Sequence, residues 1–338
     1  MVIIMDTGAA ADVIQAVIDK VGELGFTPHP IYGVEKTVVA VIGDKTQEKI
    51  EVLRTMPGVE RIVPILQPFK LAARDVAPQG TEVDLGGGVT IGGQSLVMMA
   101  GPCAIESAEQ YLSIGRYVRA AGAKVLRGGI YKPRTSPHDF QGLREDGIPL
   151  MRQMKEELDI LLISEVLDPR GVELLADVVD IFQIGTRNMQ NFSLLTECGR
   201  TEKPVVIKRG MCATLDDLLK AAEYVLVEGN NRVILCERGI RTFETQYRNT
   251  LDISAVPTLK RMSHLPVMVD PSHSAGRPDI VPALCKAAIA AGADGLLVET
   301  HLDPQSALVD GDQALDAPAF ERLMRELEPF AHAAGRPL

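Results

Sequence analysis

The first 66 residues carry short apolar runs that alternate with stretches of helical periodicity. Apolar residues in consecutive or alternating positions indicate strands, and apolar residues spaced three and four apart indicate helices. The order strand, helix, strand, strand, helix, strand is predicted at residues 1–5, 11–25, 26–32, 36–43, 45–58 and 59–66. This order is that of the ferredoxin-like unit. We therefore expect a small separate domain at residues 1–68.

Residues 69–94 are predicted to connect this domain to the rest of the chain. The stretch around Pro68, Pro78 and Gly80 has no sustained period, which is typical of a linker. Residues 81–93 alternate apolar and polar positions on both sides of three glycines, which predicts a β-hairpin. Such a hairpin is suited to covering the bottom of a barrel.

From residue 95 to 338, apolar runs rich in Val, Ile and Leu alternate with helical segments. Continuous apolar runs are typical of parallel strands that are buried on both faces. Strands are predicted at 95–101, 123–129, 159–166, 180–187, 204–210, 232–239, 265–272 and 294–301. Eight such units favour a closed (β/α)8 TIM barrel of the α/β class. An open doubly wound sheet usually has fewer strands and begins with a GxGxxG turn, which this sequence lacks.

Ionisable or thiol side chains stand at the ends of the predicted barrel strands, where barrel active sites assemble. In chain order they are Cys103, Arg127 with Lys132, Glu165, Arg187, Lys208 with Arg209, Glu237 with Arg238, Asp270 with His273, and Glu299 with His301. Any one of them could be a solvated residue without a function. Several cations at one face instead predict a pocket for phosphate and carboxylate groups, which match guanidinium forks. We therefore expect one or two phosphorylated ligands.

A second group of side chains at the same face has the chemistry of metal ligands. Cys103, His273 and Glu299 follow the first, seventh and eighth strands, which become neighbours when the barrel closes, and Asp310 lies in the next loop. A thiolate, an imidazole and carboxylates suit Mn, Fe, Co or Zn better than Mg or Ca. Taken alone, Cys103 would more often be a small buried hydrophobe, and His273 a capping or core histidine.

Composition narrows the class of protein further. The chain has 338 residues, with 46% hydrophobic and 24% charged residues, which is the balance of an ordinary soluble globular protein. The net charge of -10 argues against a nucleic-acid partner. No apolar run is long enough to span a membrane, and the N-terminus does not read as a secretory signal. Five scattered cysteines without a CxxC pair suit a reducing compartment, so we expect a cytoplasmic protein.

The strand ends stand in long strings: AGPCAIES, LRGGIYKPRTSPHDFQG, QIGTRNMQNF, KRG, LCERGIRTFETQYRNTLDISAVP, MVDPSHSAGR and DGLLVETH. Together these strings are similar to those of DAHP (3-deoxy-D-arabino-heptulosonate 7-phosphate) synthases, in particular the branch with an N-terminal ferredoxin-like regulatory domain. The resemblance extends from Met1 to the final helix. KDO 8-phosphate synthases share the GPC start and the eight-strand plan, but they are less similar at residues 132–136.

The resemblance implies a condensation of phosphoenolpyruvate with erythrose 4-phosphate, the first step of the shikimate pathway of aromatic amino acid biosynthesis. It implies one divalent metal ion held by Cys103, His273, Glu299 and Asp310. Asp303 and Asp312 share the loop with Asp310 and remain alternatives. The implied phosphoenolpyruvate ligands are Arg127 and Lys132 for the carboxylate, and Arg187, Lys208 and Arg238 for the phosphate. The implied erythrose 4-phosphate site is Pro133, Arg134 and Thr135, with Arg134 as the phosphate anchor.

Lys132, Glu165 and His273 are the candidate catalytic residues. Lys132 lies between the two expected substrates and is the candidate to protonate or steer the aldehyde oxygen. Glu165 is a candidate to orient water or to hold Lys132, and a structural carboxylate is an equal reading. His273 is also one of the implied metal ligands.

The resemblance also implies feedback inhibition by Tyr or Phe through the N-terminal domain, and a homo-oligomer, with a tetramer favoured. The alternatives are that the domain only stabilises the oligomer, or that it does neither. Two other readings of the whole protein stay open: a KDO 8-phosphate synthase that uses arabinose 5-phosphate, and a catalytically silent barrel retained as a binding partner.

Overall fold

The computed structural model describes residues 1–33, 36–43, 46–64, 67–134 and 136–338. These residues divide into two compact units. The first contains Met1–Gly80 together with Arg261–His264, and the second contains Thr81–Lys260 together with Leu265–Leu338.

The first unit is built on a four-stranded antiparallel sheet with two helices. Its elements are β1 (Val2–Met5), α1 (Ala11–Glu23), β2 (Thr27–Tyr32), β3 (Thr37–Ile42), α2 (Gln47–Arg54) and β4 (Val59–Val63). The strand order is β2-β3-β1-β4. Ile3 and Val39 of the sheet pack with Val17 of α1 and Leu53 of α2 in one hydrophobic core. The predicted ferredoxin-like fold is confirmed.

The segment predicted to be a linker is packed rather than free. Phe69 and Leu71 are buried, and one turn of 3-10 helix spans Arg74–Val76. The carbonyl oxygen of Leu71 lies 2.7 Å from Nε2 of His264, in the short 261–264 segment. The apolar residues of this stretch follow no regular period, which is why the sequence pattern did not reveal their burial.

The second unit contains a hairpin, eight parallel strands and nine helices within its described residues. In chain order the elements are β5 (Val83–Gly86), β6 (Val89–Ile91), β7 (Val97–Gly101), α3 (Ala108–Ala120), β8 (Val125–Arg127), α4 (Ile148–Leu158), β9 (Leu161–Val166), α5 (Pro169–Ala176), β10 (Ile181–Ile184), α6 (Phe192–Gly199), β11 (Val205–Lys208), α7 (Leu215–Leu226), β12 (Val233–Glu237), α8 (Ala255–Met262), β13 (Val267–Val269), α9 (Pro271–Ala275), α10 (Val281–Ala290), β14 (Gly295–Glu299) and α11 (Ala317–Ala333). Strands β7 to β14 close into a barrel in chain order, with β14 pairing with β7. The predicted (β/α)8 barrel is confirmed.

The hairpin closes the amino-terminal end of the barrel. Its residues Val83, Leu85 and Ile91 belong to the same hydrophobic core as inward-facing strand residues such as Val206 and Leu297. Polar side chains therefore gather at the opposite end, where the strands terminate. Within the described residues, no helix combines the length and the apolar character that crossing a bilayer requires.

Candidate active site

Four side chains with metal-ligand chemistry converge where β13, β14 and β7 end. Cys103 follows β7, His273 lies in the first turn after β13, Glu299 is the last residue of β14, and Asp310 lies in the loop beyond. One possible ligand atom of each lies within 4.8 Å of those of the other three. The structure thus brings together the four residues singled out in the sequence. Asp303, one of the alternatives, instead accepts a hydrogen bond from the backbone N–H of Gln305.

The Cys103 thiol is buried between anions and cations. It donates to Oδ2 of Asp310 at 3.2 Å, and it accepts from the guanidinium of Arg127 at 3.3 Å and from Nζ of Lys132. Burial raises the pKa of Cys103 to about 12, and the nearby charge of Glu299 acts in the same direction. With only Arg127 and Lys132 as neighbouring cations, the Cys103 sulfur therefore keeps its proton.

The two carboxylate oxygens of Glu299 differ in their hydrogen bonds. Oε2 accepts from Arg127 at 3.2 Å and from Nε2 of Gln313 at 2.7 Å. Oε1 is buried and has no hydrogen-bond partner among the described residues. Burial raises the pKa of this carboxyl group above its usual range. An orphaned buried oxygen costs free energy, and a bound cation would remove that cost.

His273 and Asp310 complete the cluster in the protonation states that a metal requires. Burial lowers the pKa of His273 well below its ordinary value, so the imidazole is neutral and can offer a lone pair. Its Nε2 lies 3.5 Å from Oε2 of Glu299 and 3.9 Å from Oδ2 of Asp310. Burial alone would raise the pKa of Asp310, but nearby cations, Lys132 first and Arg248 with it, outweigh burial and lower it.

Sulfur, nitrogen and oxygen donors within reach of one point fit a divalent ion of the Mn, Fe, Co or Zn class. A hard cation such as Mg or Ca would meet too few oxygens here. The orphaned oxygen of Glu299 and the neutral imidazole of His273 are the observations that support this fit.

A pocket lined by six cations adjoins the cluster. They are Arg127, Lys132, Arg187, Lys208, Arg238 and Arg248. Glu165 is the one carboxylate in the lining among the described residues, and Gly185 leaves room for it: a Cβ there would lie 1.8 Å from Oε1 of Glu165. A pocket with this charge balance favours ligands that carry phosphate and carboxylate groups.

Two of these cations are held by contacts with residues that follow β13. Lys208 ends β11 and pairs with the buried Asp270 at the end of β13. Arg238 follows β12 and donates to the carbonyl of His273 at 3.1 Å. Its Nε is buried without a hydrogen-bond partner among the described residues, and burial lowers the pKa of its guanidinium. An anion in the pocket would satisfy that donor.

The three residues predicted to bind a second phosphorylated substrate are placed differently from one another. Pro133 lines the pocket. Arg134 donates to Oδ2 of Asp139 at 3.0 Å and to the carbonyl of Leu308 at 3.3 Å, outside the pocket lining. Thr135 lies outside the described residues.

Arg248 and Gly276 are among the site residues that sequence reasoning missed. Arg248 lines the pocket, and its guanidinium donates to Gln313 at 2.7 Å and to Asp310 at 3.4 Å. Gly276 has a φ of +69°, and a Cβ there would lie 2.4 Å from the Cβ of Arg248, so the glycine admits the arginine. Both missed residues stand in loops away from strand ends. The available signal for Arg248 was its place inside the long string after β12.

Comparisons with known proteins identify the relatives of this chain. Residues 70–332 match the DAHP synthetase I family, and residues 1–67 match the DAHP synthase ferredoxin-like domain. A phospho-2-dehydro-3-deoxyheptonate aldolase of Thermotoga maritima is 43% identical over 335 residues, which cover 99% of each chain. A 2-dehydro-3-deoxyphosphooctonate aldolase of Geobacter sulfurreducens is 32% identical over 264 residues, covering 72% of this chain and 95% of its own length.

Solved structures agree with these matches. The crystal structure of the Thermotoga maritima DAHP synthase superposes with a TM-score of 0.79 at 42% identity, covering 99% of this chain and 98% of that one. A truncated form of the Thermotoga enzyme superposes with a TM-score of 0.73 at 44% identity, covering 79% of this chain and 98% of that one. The resemblance read from the strand-end strings is confirmed.

Proposed function

The chain belongs to the DAHP synthetase I family, and we propose that it condenses phosphoenolpyruvate with erythrose 4-phosphate and water to give DAHP and phosphate. The observation that carries the proposal is the junction of a four-donor cluster with a six-cation pocket. Arg127 and Lys132 belong to both, because each lines the pocket and contacts the Cys103 sulfur.

Cys103, His273, Glu299 and Asp310 would hold one divalent metal ion. When bound, such an ion supplies Lewis acidity to an aldehyde oxygen and stabilises the negative charge that develops there.

The cations divide between the two ends of phosphoenolpyruvate. Arg127 and Lys132, beside the metal ligands, would hold its carboxylate, and Arg187, Lys208 and Arg238 would hold its phosphate. This arrangement offsets the repulsion between two anionic substrates and holds C3 of the enol phosphate near the aldehyde carbon. Pro133, Arg134 and Thr135 would form the erythrose 4-phosphate site. Arg134 must exchange its bond with Asp139 for the substrate phosphate.

Lys132 is suited to deliver a proton. Burial lowers the pKa of its ammonium group, but the neighbouring side chains of Cys103, Asp310 and Glu165 outweigh burial and raise it, so the group stays protonated. As C3 forms its bond to the aldehyde carbon, Lys132 gives a proton to the carbonyl oxygen, which becomes a hydroxyl. Water then adds at C2, and the proton it loses restores the ammonium group of Lys132. The C2–O bond to phosphate breaks, phosphate takes the proton of the new C2 hydroxyl, and C2 becomes a carbonyl carbon. Glu165, which lines the same pocket, would orient that water or hold Lys132.

The test of this function is consumption of phosphoenolpyruvate and release of phosphate, both dependent on erythrose 4-phosphate. Cys103→Ala should abolish metal-dependent turnover while circular dichroism shows an intact fold. Cys285→Ala is the matched control, because Cys285 is equally buried but lies in α10, away from the cluster. Full turnover after exhaustive chelation would refute the metal role.

The assignment of Arg134 has its own test. Arg134→Ala should raise the KM for erythrose 4-phosphate far more than the KM for phosphoenolpyruvate, because the proposal gives this residue to one substrate only. Equal increases for both would show that the partition of the pocket is wrong.

A KDO 8-phosphate synthase-like activity on arabinose 5-phosphate is the alternative. The 2-dehydro-3-deoxyphosphooctonate aldolase noted above matches 72% of this chain, against 99% for the heptonate enzyme. We therefore expect turnover with erythrose 4-phosphate and little with arabinose 5-phosphate. The reverse preference would assign the chain to the other reaction. A catalytically silent barrel would release no phosphate with either aldehyde.

We further propose that the N-terminal unit senses Tyr or Phe and that the enzyme is a cytoplasmic homotetramer. The match of residues 1–67 to the DAHP synthase ferredoxin-like domain supports the sensor role. All five cysteines lie in the described part of the chain and are free, which suits a reducing compartment. Inhibition by Tyr and Phe should be assayed in the full chain and in a chain lacking residues 1–67. Inhibition that survives the deletion would rule out this sensor and leave the oligomer-cementing reading. Light scattering gives the subunit number.

A further inference from the structure

Asp270 is a buried carboxylate to which the mechanism above gives no task. It follows β13 and is 0% exposed. Its Oδ1 accepts the backbone N–H of His273 at 2.9 Å and so caps the short helix α9. Capping the helix explains the role of Oδ1 but not that of Oδ2.

The other oxygen of Asp270 contacts two side chains with different proposed tasks. Oδ2 lies 2.8 Å from Nδ1 of His273, and it also accepts from Nζ of Lys208. His273 belongs to the four-donor cluster, and Lys208 lines the cationic pocket. Among the described contacts, one atom therefore touches both halves of the site.

The contact between Asp270 and Nδ1 of His273 decides which ring nitrogen is free to bind a metal. A carboxylate beside Nδ1 favours the proton on that nitrogen, which leaves the lone pair on Nε2. Nε2 is the atom that faces Glu299 and Asp310, at 3.5 and 3.9 Å. Lys208 as a whole is only 3% exposed, and the contact with Asp270 keeps its ammonium group at a fixed place in the pocket wall.

We propose that Asp270 is a positioning residue shared by the two half-sites: it fixes the tautomer and orientation of His273 and holds the ammonium of Lys208 in the anion pocket. The inference rests on the proposed function, since it gives His273 to a metal and Lys208 to a substrate phosphate.

The isosteric variant Asp270→Asn tests this directly. If its amide oxygen keeps the cap of α9, its NH2 group faces Nδ1 of His273 and Nζ of Lys208, both of which are donors. Lys208 then loses its acceptor, and Nδ1 of His273 faces an NH2 group in place of a carboxylate oxygen. We expect the Kd for Co²⁺ to rise about 10- to 100-fold, the usual effect of losing an outer partner of a metal ligand. The Kd for phosphoenolpyruvate should rise about tenfold, for one misplaced charge-assisted hydrogen bond.

Asp294→Asn is the matched control. Asp294 is also a buried carboxylate, 1% exposed, and it accepts from the backbone N–H of Val267 at 2.7 Å and from Lys260 at 2.7 Å. It precedes β14, so it lies at the opposite end of the barrel from the site. This variant should lose stability but keep both affinities.

The readouts are Co²⁺ titration followed by visible absorption, calorimetric titration with phosphoenolpyruvate, and circular dichroism for the fold. A folded Asp270→Asn protein with weaker Co²⁺ binding, shifted d–d bands and weaker phosphoenolpyruvate binding supports the inference. Unchanged affinities and spectrum overturn it, as do equal losses in Asp294→Asn. If the wild type binds no Co²⁺, the metal centre of the proposed function fails, and the inference fails with it.

A second variant keeps the test decisive if Asp270→Asn does not fold. Lys208→Met removes the other partner of the shared oxygen, and Lys208 has no hydrogen bond or ion pair with the four candidate ligands among the described contacts. In this variant Oδ2 of Asp270 would contact only His273, which changes the position and charge of the carboxylate beside Nδ1. The Co²⁺ d–d bands should therefore shift in this variant as well. An identical spectrum would overturn the shared role.

Discussion

The side-chain amide of Gln313 donates a 2.7 Å hydrogen bond from Nε2 to Oε2 of Glu299. Its Oε1 accepts a hydrogen bond of equal length from the guanidinium of Arg248. Gln313 is only 2% exposed, so both bonds are shielded from water. One buried amide thereby links a proposed metal ligand to a cation of the substrate pocket.

Gln313→Leu should weaken metal binding. The substitution leaves Oε2 of Glu299 with Arg127 as its remaining donor and deprives Arg248 of an acceptor. We expect the Kd for Co²⁺ to rise about tenfold and the free energy of unfolding to fall by about 1–3 kcal/mol. Titration with Co²⁺ and urea unfolding measure the two effects.

Asn230→Ala is the control for the Gln313 variant. Asn230 is a buried amide that donates to the carbonyls of Lys203 at 2.8 Å and Cys198 at 3.3 Å, before β12 begins. It should lose stability to a similar degree and keep its affinity for Co²⁺. Equal Kd values for Co²⁺ in the wild type and in Gln313→Leu would show that Gln313 does not support metal binding.

The strand ends of the site were predictable from two rules, one for the composition of buried strands and one for their order in a barrel. Buried parallel strands are continuous apolar runs, so the residue type changes sharply at Arg127, Lys208 and Glu299. Sequential strand order in the barrel then makes β13, β14 and β7 neighbours without any knowledge of coordinates. The proximity of Cys103 to His273 followed from these two rules.

The loop residues were not predictable by the same route. Gln313 reaches Glu299 across 14 positions, and Arg248 reaches Gln313 across 65. Neither separation is a repeat of a regular structure, so only the folded path of the loops brings these residues together. The burial of Phe69 and Leu71 likewise depends on tertiary packing that the local pattern does not record.

Gly101→Ala should destabilise the barrel strongly. Gly101 ends β7 with a φ of +150°, and a Cβ there would lie 2.1 Å from the carbonyl oxygen of Arg127 in β8. Since the clash is with backbone, neither strand can yield by turning a side chain. We expect a loss of at least about 3 kcal/mol of stability, together with impaired metal binding, because Cys103 and Arg127 both flank the clash.

Gly229→Ala isolates the cost of the backbone conformation. Gly229 also has a positive φ, +103°, but a Cβ there would meet nothing within 4 Å. This variant should lose about 1 kcal/mol. Urea unfolding of both variants gives the two losses in the free energy of unfolding. Similar losses would mean that a glycine is required at position 101 because of its backbone conformation and not because β7 lies close to β8.

Metal binding should release about one proton from Cys103. Burial raises the pKa of this thiol to about 12, so it is protonated near neutral pH, whereas a metal binds the thiolate. The apparent affinity should therefore rise about tenfold per pH unit as pH increases below that pKa. Calorimetric titration in buffers of different ionisation enthalpy counts the proton. Cys103→Ala should release about one proton fewer if it still binds metal, and equal release would contradict the assignment.

His264 should make the protein less stable in mild acid. Burial lowers the pKa of its imidazole to about 4, and a neutral ring can donate from Nε2 to the carbonyl of Leu71 at 2.7 Å. In the unfolded chain the pKa is about 6.5. Above that pH both states are neutral and the stability is fully present. As pH falls from about 6.5 to 4, only the unfolded chain takes up the proton, so stability declines by about 2 kcal/mol at pH 5 and roughly 3 kcal/mol at pH 4.

His264→Gln isolates this contribution from that of the carboxylates, which also titrate in this window. The glutamine can donate to Leu71 but does not titrate, so its stability should change less between pH 7 and pH 4.5 than that of the wild type. Urea unfolding at both pH values measures the difference between the two proteins. Parallel pH profiles would mean that His264 takes up its proton in the folded state as readily as in the unfolded chain, so that its burial does not resist protonation.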